Sequence, residues 1–154
     1  MKVTINSNCV LEDVKLKSHL EVENIQDVEI RDNARADLTK TDELERAYSG
    51  ALADLTCLIA RFLESSEAVS TAEEDNSPGI LPDYVFSLSL SDRRGQGKTE
   101  LIKDKMHSYL VNMAMSRFYV SVGQSNLAAA RANLAASDGA VLVTALYSKR
   151  EPTY

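Results

Sequence analysis

Chemistry is first suggested by the segment Gly95–Thr99, because its residues Gly-Gln-Gly-Lys-Thr are similar to the end of a phosphate-binding loop. A strand is predicted before this segment and a helix after it, which is the order of elements in nucleotide-binding domains. The complete motif needs a glycine five positions before Gly97, so that the backbone can wrap around the phosphates. That position holds Asp92, whose charge repels phosphate. The sequence therefore argues against nucleotide binding.

The same loop contains three basic side chains, Arg93, Arg94 and Lys98. Two interpretations stay open. The loop is either a solvent-exposed connection, or a basic tip that docks on an acidic surface of a partner protein.

The other reactive side chains form no recognisable catalytic or metal-binding set. His19 and His107 are the two histidines, and neither has a metal-ligand spacing to another histidine, cysteine or pair of acids. Cys9 and Cys57 form no C-x-x-C pair, and we expect both to be reduced, small residues of the core. Because no nucleophile motif is present either, we predict that the protein is not an enzyme and uses no cofactor and no metal.

The charge distribution excludes another class of function. The chain has 154 residues and a net charge of −6, whereas tight binding of duplex DNA requires a basic surface. Residues 21–45 contain nine acidic and three basic side chains, so this segment carries the whole excess. It is either a solvated surface or a surface that repels a polyanion passing close by. Apolar stretches are far shorter than the roughly 20 residues that cross a bilayer, so no membrane contact is expected.

The hydrophobic pattern predicts a mainly α-helical bundle with a minor β component, folded as one domain over residues 1–154. Strict alternation predicts a strand at 84–91, and weaker alternation predicts an N-terminal strand at 2–6. The strand at 84–91 must pair either with residues 3–5 or with a neighbouring copy of the chain. Residues 64–80 are small and polar and predict a long mobile loop. A strand with unpaired edges next to mobile loops suggests that residues 64–100 contact another molecule.

Four helices are predicted from apolar residues at helical spacing. The first covers residues 9 to about 30 and has an irregular apolar stripe. The second, 41–66, starts with a capping box at Asp42 and Glu45. The third, 99–122, is ended by Gly123, and the fourth, 126–147, follows a Ser125 cap. In the last helix we expect Leu127, Leu134, Val141 and Leu142 to be buried, and its alanines to allow close approach to a neighbour. The predicted core consists of Leu44, Leu55, Phe62, Phe86, Leu88, Met106, Tyr109, Met113, Phe118 and Leu142.

Two local features carry a family resemblance. The turn at 81–84, Leu-Pro-Asp-Tyr, leads into the strand, and the third helix ends in Ser-Arg-Phe-Tyr at 116–119. With the helical start, the acidic helix and the long loop, they resemble the small head–tail connector (adaptor) proteins of tailed bacteriophages over about residues 10–120. The alanine-rich helix after Gly123 departs from the shortest members.

The resemblance implies a structural protein of the virion, assembled in the cytoplasm of a bacterial host. Such a subunit forms a ring, commonly of twelve copies, between the portal protein and the tail or neck proteins, around a channel through which DNA passes. We then expect Tyr84, Phe86, Arg93, Arg94 and Lys98 to dock on partner proteins. We expect some of the acids Glu21, Glu23, Asp27, Glu29, Asp32 and Asp37 to face the channel. The alternatives are a cytoplasmic helical regulatory or adaptor module and a nucleotide-binding enzyme that uses Gly95–Thr99.

Overall fold

A computed structural model describes residues 1–36, 40–69, 81–89 and 98–147. In these residues the chain forms β1 (Lys2–Ile5), α1 (Ser7–Val22), α2 (Val28–Ala34), α3 (Thr41–Leu58), β2 (Leu63–Val69), β3 (Asp83–Leu88), α4 (Thr99–Ser121) and α5 (Ser125–Tyr147). The predicted class, mainly α with a minor β component, is confirmed.

The three strands form one antiparallel sheet in the order β1-β3-β2. Val3 of β1 pairs with Phe86 of β3, and on the other side of β3 the same Phe86 pairs with Ser66 of β2. The predicted pairing of the strand with residues 3–5 is therefore confirmed. The expectation of unpaired edges on that strand is wrong, because β3 is the central strand and both of its edges are occupied. The end of the predicted strand, residues 90 and 91, lies outside the described residues.

The predicted helix at 41–66 was expected to extend into the segment 63–69, and a loop was predicted at 64–80. For residues 63–69 both expectations are wrong. Helix α3 ends at Leu58, and the chain turns through Ile59, whose carbonyl accepts a hydrogen bond from the backbone N–H of Phe62. The next residues pair with β3, although all but Leu63 are exposed. Backbone hydrogen bonding to an available strand edge thus decides the structure of a polar sequence that has no strand pattern of its own. The rest of the predicted loop, residues 70–80, lies outside the described residues.

Two other helix ends differ from expectation. The first predicted helix is divided, because α1 ends at Val22 and α2 begins after Asp27, whose side-chain Oδ1 accepts hydrogen bonds from the backbone N–H of Glu29 and Ile30. The capping box predicted for α3 is absent: the residue before the helix is Lys40, which makes no side-chain cap.

Helices α4 and α5 form the antiparallel centre of the bundle. Gly123 separates them with a φ of +81°, in the left-handed region that favours glycine, as predicted for a helix end. Close packing between α5 and the other helices depends on Gly139, since a Cβ there would lie 3.1 Å from Cδ2 of Leu58 and 3.4 Å from a ring carbon of Tyr109.

The buried side chains form a cluster between the helices and the inner face of the sheet. Eight of the ten predicted core residues are buried, and Phe62 and Met113 are partly buried against them. Four residues expected in apolar stripes are instead exposed: Leu20, Val120, Leu134 and Val141. Cys9 and Cys57 are exposed as well, so the expectation that they fill the core is wrong.

Candidate functional site

The two aromatic residues expected to dock on a partner have different surroundings. Phe86 is 1% exposed and belongs to the core, so its predicted docking role is wrong, although its predicted core role is confirmed. Tyr84 is half-buried, and its ring meets the ring of Tyr48 edge to face at a centroid distance of 6.4 Å. Of the two aromatic residues that were expected to dock, only Tyr84 has a side chain that another molecule could reach.

The basic tip is only partly described. Arg93 and Arg94 lie outside the described residues, as do Gly95 and Gly97 of the phosphate-loop motif. Lys98 immediately precedes α4, and Thr99 is the first residue of that helix. The strand before the motif is antiparallel to both of its neighbours, whereas phosphate-loop domains are built on parallel sheets.

The acidic segment is divided between a surface and an internal contact. Glu23, Asp27, Glu29 and Asp32 are exposed around α2. Glu21 is different, because its carboxylate is paired with the guanidinium of Arg131 on α5. Only some of the six acids were expected on a channel wall, and Glu21, which is held by α5, is the least suited of the described ones. Asp37 lies outside the described residues.

Helix α5 turns both of its charged side chains inward. Arg131 contacts Glu21 and also donates a hydrogen bond of 2.8 Å to Oδ1 of Asn112 on α4. Asp138 accepts hydrogen bonds from Ser108 Oγ at 2.6 Å and Asn112 Nδ2 at 2.8 Å. The Arg131 and Asp138 side chains are only 14% and 13% exposed. These contacts fix the rotation of α5 about its axis relative to α1 and α4.

The exposed face of α5 is consequently free of charge. Twelve residues of the helix are exposed, and every one of them is uncharged. Within this face a stripe repeats with alternating spacings of four and three residues: Ala130, Leu134, Ser137, Val141 and Thr144. Such spacing is the pattern of a helix surface that packs along another helix. We call these five residues the α5 stripe.

Neighbouring surfaces do not share this property. The exposed residues of α4, which has the same length as α5, include Glu100, Lys103, Asp104 and Arg117. The chain as a whole contains 26% charged residues. The uncharged face of α5 is therefore a local feature and does not follow from the overall composition.

An apolar groove adjoins the α5 stripe. It lies between the start of α4 and the end of α5 and has a volume of about 400 Å³. Lys98 and Leu101 line it on the α4 side, and Ala140, Val141, Thr144 and Ala145 form the α5 wall. Leu101 and Val141 are each 42% exposed, so apolar surface is open to solvent here.

The exposed edge of the sheet offers a weaker contact surface. β2 is an outer strand, but it carries Glu64 and Glu67 and a register irregularity between Leu63 and Ser65. Charges and bulges on an edge strand oppose pairing with a further strand. The α5 face has no such protection.

Sequence reasoning missed the α5 site. Arg131 and Asp138 are seven residues apart and share a face of the helix, but Leu134, three residues after Arg131 and four before Asp138, lies beside that face. Spacing alone therefore does not separate the inward charges from the exposed apolar residues. Nothing in the sequence identifies Glu21 and Asn112 as the inward partners.

Comparisons with protein-family models, with curated proteins and with solved structures give no match for this chain. Among the described residues, no helix is long and apolar enough to cross a membrane. In the same residues, histidine, cysteine and carboxylate side chains form no group of three or more that could hold a metal ion. The geometry of the chain itself is thus the basis for assigning a function.

Proposed function

We propose that this chain is a non-enzymatic structural subunit that assembles with copies of itself into a ring, with the exposed face of α5 as the contact between neighbouring copies. One observation carries the proposal: this face extends over about six helical turns and contains no charged side chain. Soluble surfaces of this size normally contain lysine, arginine, aspartate or glutamate. A face without them, in a chain rich in them, is suited to burial.

A second copy of the chain fits this face better than a charged partner. The α5 stripe offers no charge for a basic or acidic partner to pair with, so its complement must be mainly apolar. The groove beside Leu101 is such a surface on the same chain, with Lys98 as the one charged residue of its described lining. The stripe and the groove share Val141 and Thr144, so we place Ala130, Leu134 and Ser137 of one copy in the groove of the next. This contact uses different residues on the two copies and is head-to-tail, and contacts of this kind close into rings when the rotation between copies allows it.

Ring formation is also what the resemblance to phage head–tail connectors implies. We therefore propose that the ring lies between the portal and the tail of a virion and surrounds the DNA channel. Exposed acids around α2 support this placement, because a negative lumen repels the phosphates of passing DNA and avoids a stationary bound state. Of the described residues, four acids remain candidates for the lumen: Glu23, Asp27, Glu29 and Asp32.

Sedimentation of a charged variant tests the contact. Leu134→Glu with Val141→Glu places two carboxylates in the α5 stripe at positions that are 49% and 42% exposed, so the fold of a single chain should be retained. We expect this variant to sediment as a monomer at concentrations at which the unaltered chain forms a larger species. Leu16→Glu is the matched control, because Leu16 on α1 is 62% exposed and lies outside α5.

The outcomes separate the competing functions. Assembly that is lost only in the α5 variant supports the ring subunit. Assembly that survives both substitutions would place the contact elsewhere, and a chain that stays monomeric at every concentration would favour the cytoplasmic adaptor module. A gene located beside capsid and portal genes would distinguish a connector from other ring-forming proteins.

The position of the acids has its own test. In an electron-microscopy reconstruction of the assembled ring, Glu23 and Asp32 should lie closer to the ring axis than Arg46 and Glu43 on α3. If α2 lies on the outer surface of the ring, the acids serve solubility and the lumen proposal is wrong, even where the ring itself is confirmed.

A further inference from the structure

A second cavity, separate from the α5 face, lies where the sheet meets the helices. It has a volume of about 400 Å³ and is bounded by the end of β1, the start of α1, the start of β3 and the middle of α4. Its lining includes Asp83, Lys103, Asp104, His107 and Cys9. We call it the Asp83 cavity.

The carboxylate of Asp83 is the unusual group in this cavity. Asp83 is only 7% exposed, and its Oδ1 is buried without a hydrogen bond from any described residue. None of the ion pairs that the described residues form includes Asp83. A buried carboxylate without an ion-pair partner is unfavourable, and a cation placed in the cavity would reduce that penalty by compensating its charge.

The other charges around the cavity do not supply this cation. Lys103 and Asp104 are successive residues of α4 and are exposed, and no ion pair of the described residues joins Lys103 to Asp83. Nε2 of His107 lies 2.6 Å from Oδ2 of Asp13, so the imidazole already has a hydrogen-bond partner other than Asp83. With a neutral His107, the side chains of Asp83, Asp104 and Lys103 give the lining a net charge of −1, and Asp83 is the buried member of the three.

We propose that the Asp83 cavity binds one primary ammonium or guanidinium group, which pairs with the carboxylate of Asp83. A monocation balances the charge of this carboxylate. The group is supplied either by a small free amine or by a lysine or arginine side chain of another protein. Because the cavity is remote in sequence from the α5 stripe and uses different chemistry, this proposal stands independently of ring assembly.

The two cysteines provide an internal comparison for the test. Cys9 lines the cavity and Cys57 on α3 does not, and both thiols are exposed. Mass spectrometry can follow both thiols during reaction with 2-aminoethyl methanethiosulfonate, which carries an ammonium, and with 2-sulfonatoethyl methanethiosulfonate, which carries a sulfonate. We expect the ratio of the ammonium rate to the sulfonate rate to be about tenfold higher at Cys9 than at Cys57.

Removing the charge of Asp83 should abolish this preference. In Asp83→Asn the two thiols should show the same ratio within about twofold, while Asp104→Asn, which alters an exposed carboxylate of the same cavity, should keep most of the difference. Equal ratios at the two thiols of the unaltered chain would overturn the proposal. So would a preference at Cys9 that persists in Asp83→Asn.

A measurement on the unaltered chain covers the case in which Asp83→Asn does not fold. Millimolar n-butylammonium should slow the reaction of Cys9 with uncharged iodoacetamide and leave Cys57 unaffected, and n-butanol should protect neither. Protection by butanol, or no protection by butylammonium, contradicts the proposal. If the tripeptide Ala-Lys-Ala protects at about tenfold lower concentration than butylammonium, the source of the ammonium is a protein side chain, and equal potency indicates a free amine.

Discussion

The guanidinium of Arg131 on α5 is paired with the carboxylate of Glu21 on α1, and this pair turns the only positive charge of α5 away from its exposed face. The same guanidinium donates a hydrogen bond to Asn112, whose amide donates to Asp138. One connected set of polar contacts thus holds the rotation of α5 and leaves the α5 stripe outside.

Breaking this pair should destabilise the fold. Arg131→Met removes the partner of Glu21 and one donor to Asn112 at a site where both side chains of the pair are mostly buried. We expect a loss of about 2–3 kcal/mol in the free energy of unfolding, measured with urea. Arg117→Met is the control. Arg117 forms an ion pair with Asp54, and because the two side chains are 46% and 29% exposed, this pair should contribute no more than about 1 kcal/mol. Equal losses would show that burial of the Arg131 pair has no special role.

Alkaline pH should weaken the fold through two tyrosines. Burial raises the pKa of the Tyr48 and Tyr119 hydroxyls to about 12, from an ordinary value of 10.0. Since the unfolded chain loses these protons first, the contribution is complete below pH 10 and is lost as the pH rises towards 12. Each tyrosine should account for about 1 kcal/mol of lost stability by pH 11. In Tyr48→Phe and Tyr119→Phe the free energy of unfolding should depend less on pH between 10 and 12, and an unchanged dependence would mean that other groups dominate.

Close packing at Gly139 should limit side-chain size there. Gly139→Leu introduces four carbons at a position where even a Cβ lies 3.1 Å from Leu58, so we expect a loss of about 1–3 kcal/mol in unfolding free energy. Ala136→Leu, one turn away on the exposed face of the same helix, should change it by less than about 0.5 kcal/mol. A tolerated Gly139→Leu would show that α5 is not held tightly against α3 and α4.

The two phenylalanines of the predicted core should differ in their contributions. Phe118 is 1% exposed, and Phe118→Ala should cost about 3–5 kcal/mol. Phe62 is only partly buried, and the centroid of its ring lies 4.7 Å from that of Tyr147. Phe62→Ala should therefore lower the free energy of unfolding by about 1–2 kcal/mol. Thermal or urea unfolding of the two variants provides the comparison. A larger loss for Phe62 would contradict the observed order of burial.

How far the sequence predicts this structure depends on whether local or distant contacts decide each element. α4 and its end at Gly123 follow from apolar spacing and from the one residue type that favours a positive φ. β2 does not, because Leu63–Val69 becomes a strand only through pairing with β3. A polar sequence carries no signal for a partner that lies further along the chain.

The candidate sites depend on distant contacts even more strongly. Leu134 and Val141 were expected inside because they are apolar, and they lie outside because Arg131 and Asp138 find partners on α1 and α4. Asp83 looked like part of a turn, and its buried oxygen becomes visible only when β3 is placed beside α4. In both cases the informative quantity is the surroundings of a polar group, which residue type and spacing do not specify.

The native mass of the chain tests the central claim most directly. The chain has a mass of 16.9 kDa, and a ring closed through α5 should appear in native mass spectrometry as one dominant species at a fixed integer multiple of that mass. The species should revert to 16.9 kDa in the variant that combines Leu134→Glu and Val141→Glu. A chain that remains at 16.9 kDa at every concentration would contradict the account, and so would an open series of multiples without a dominant closed form.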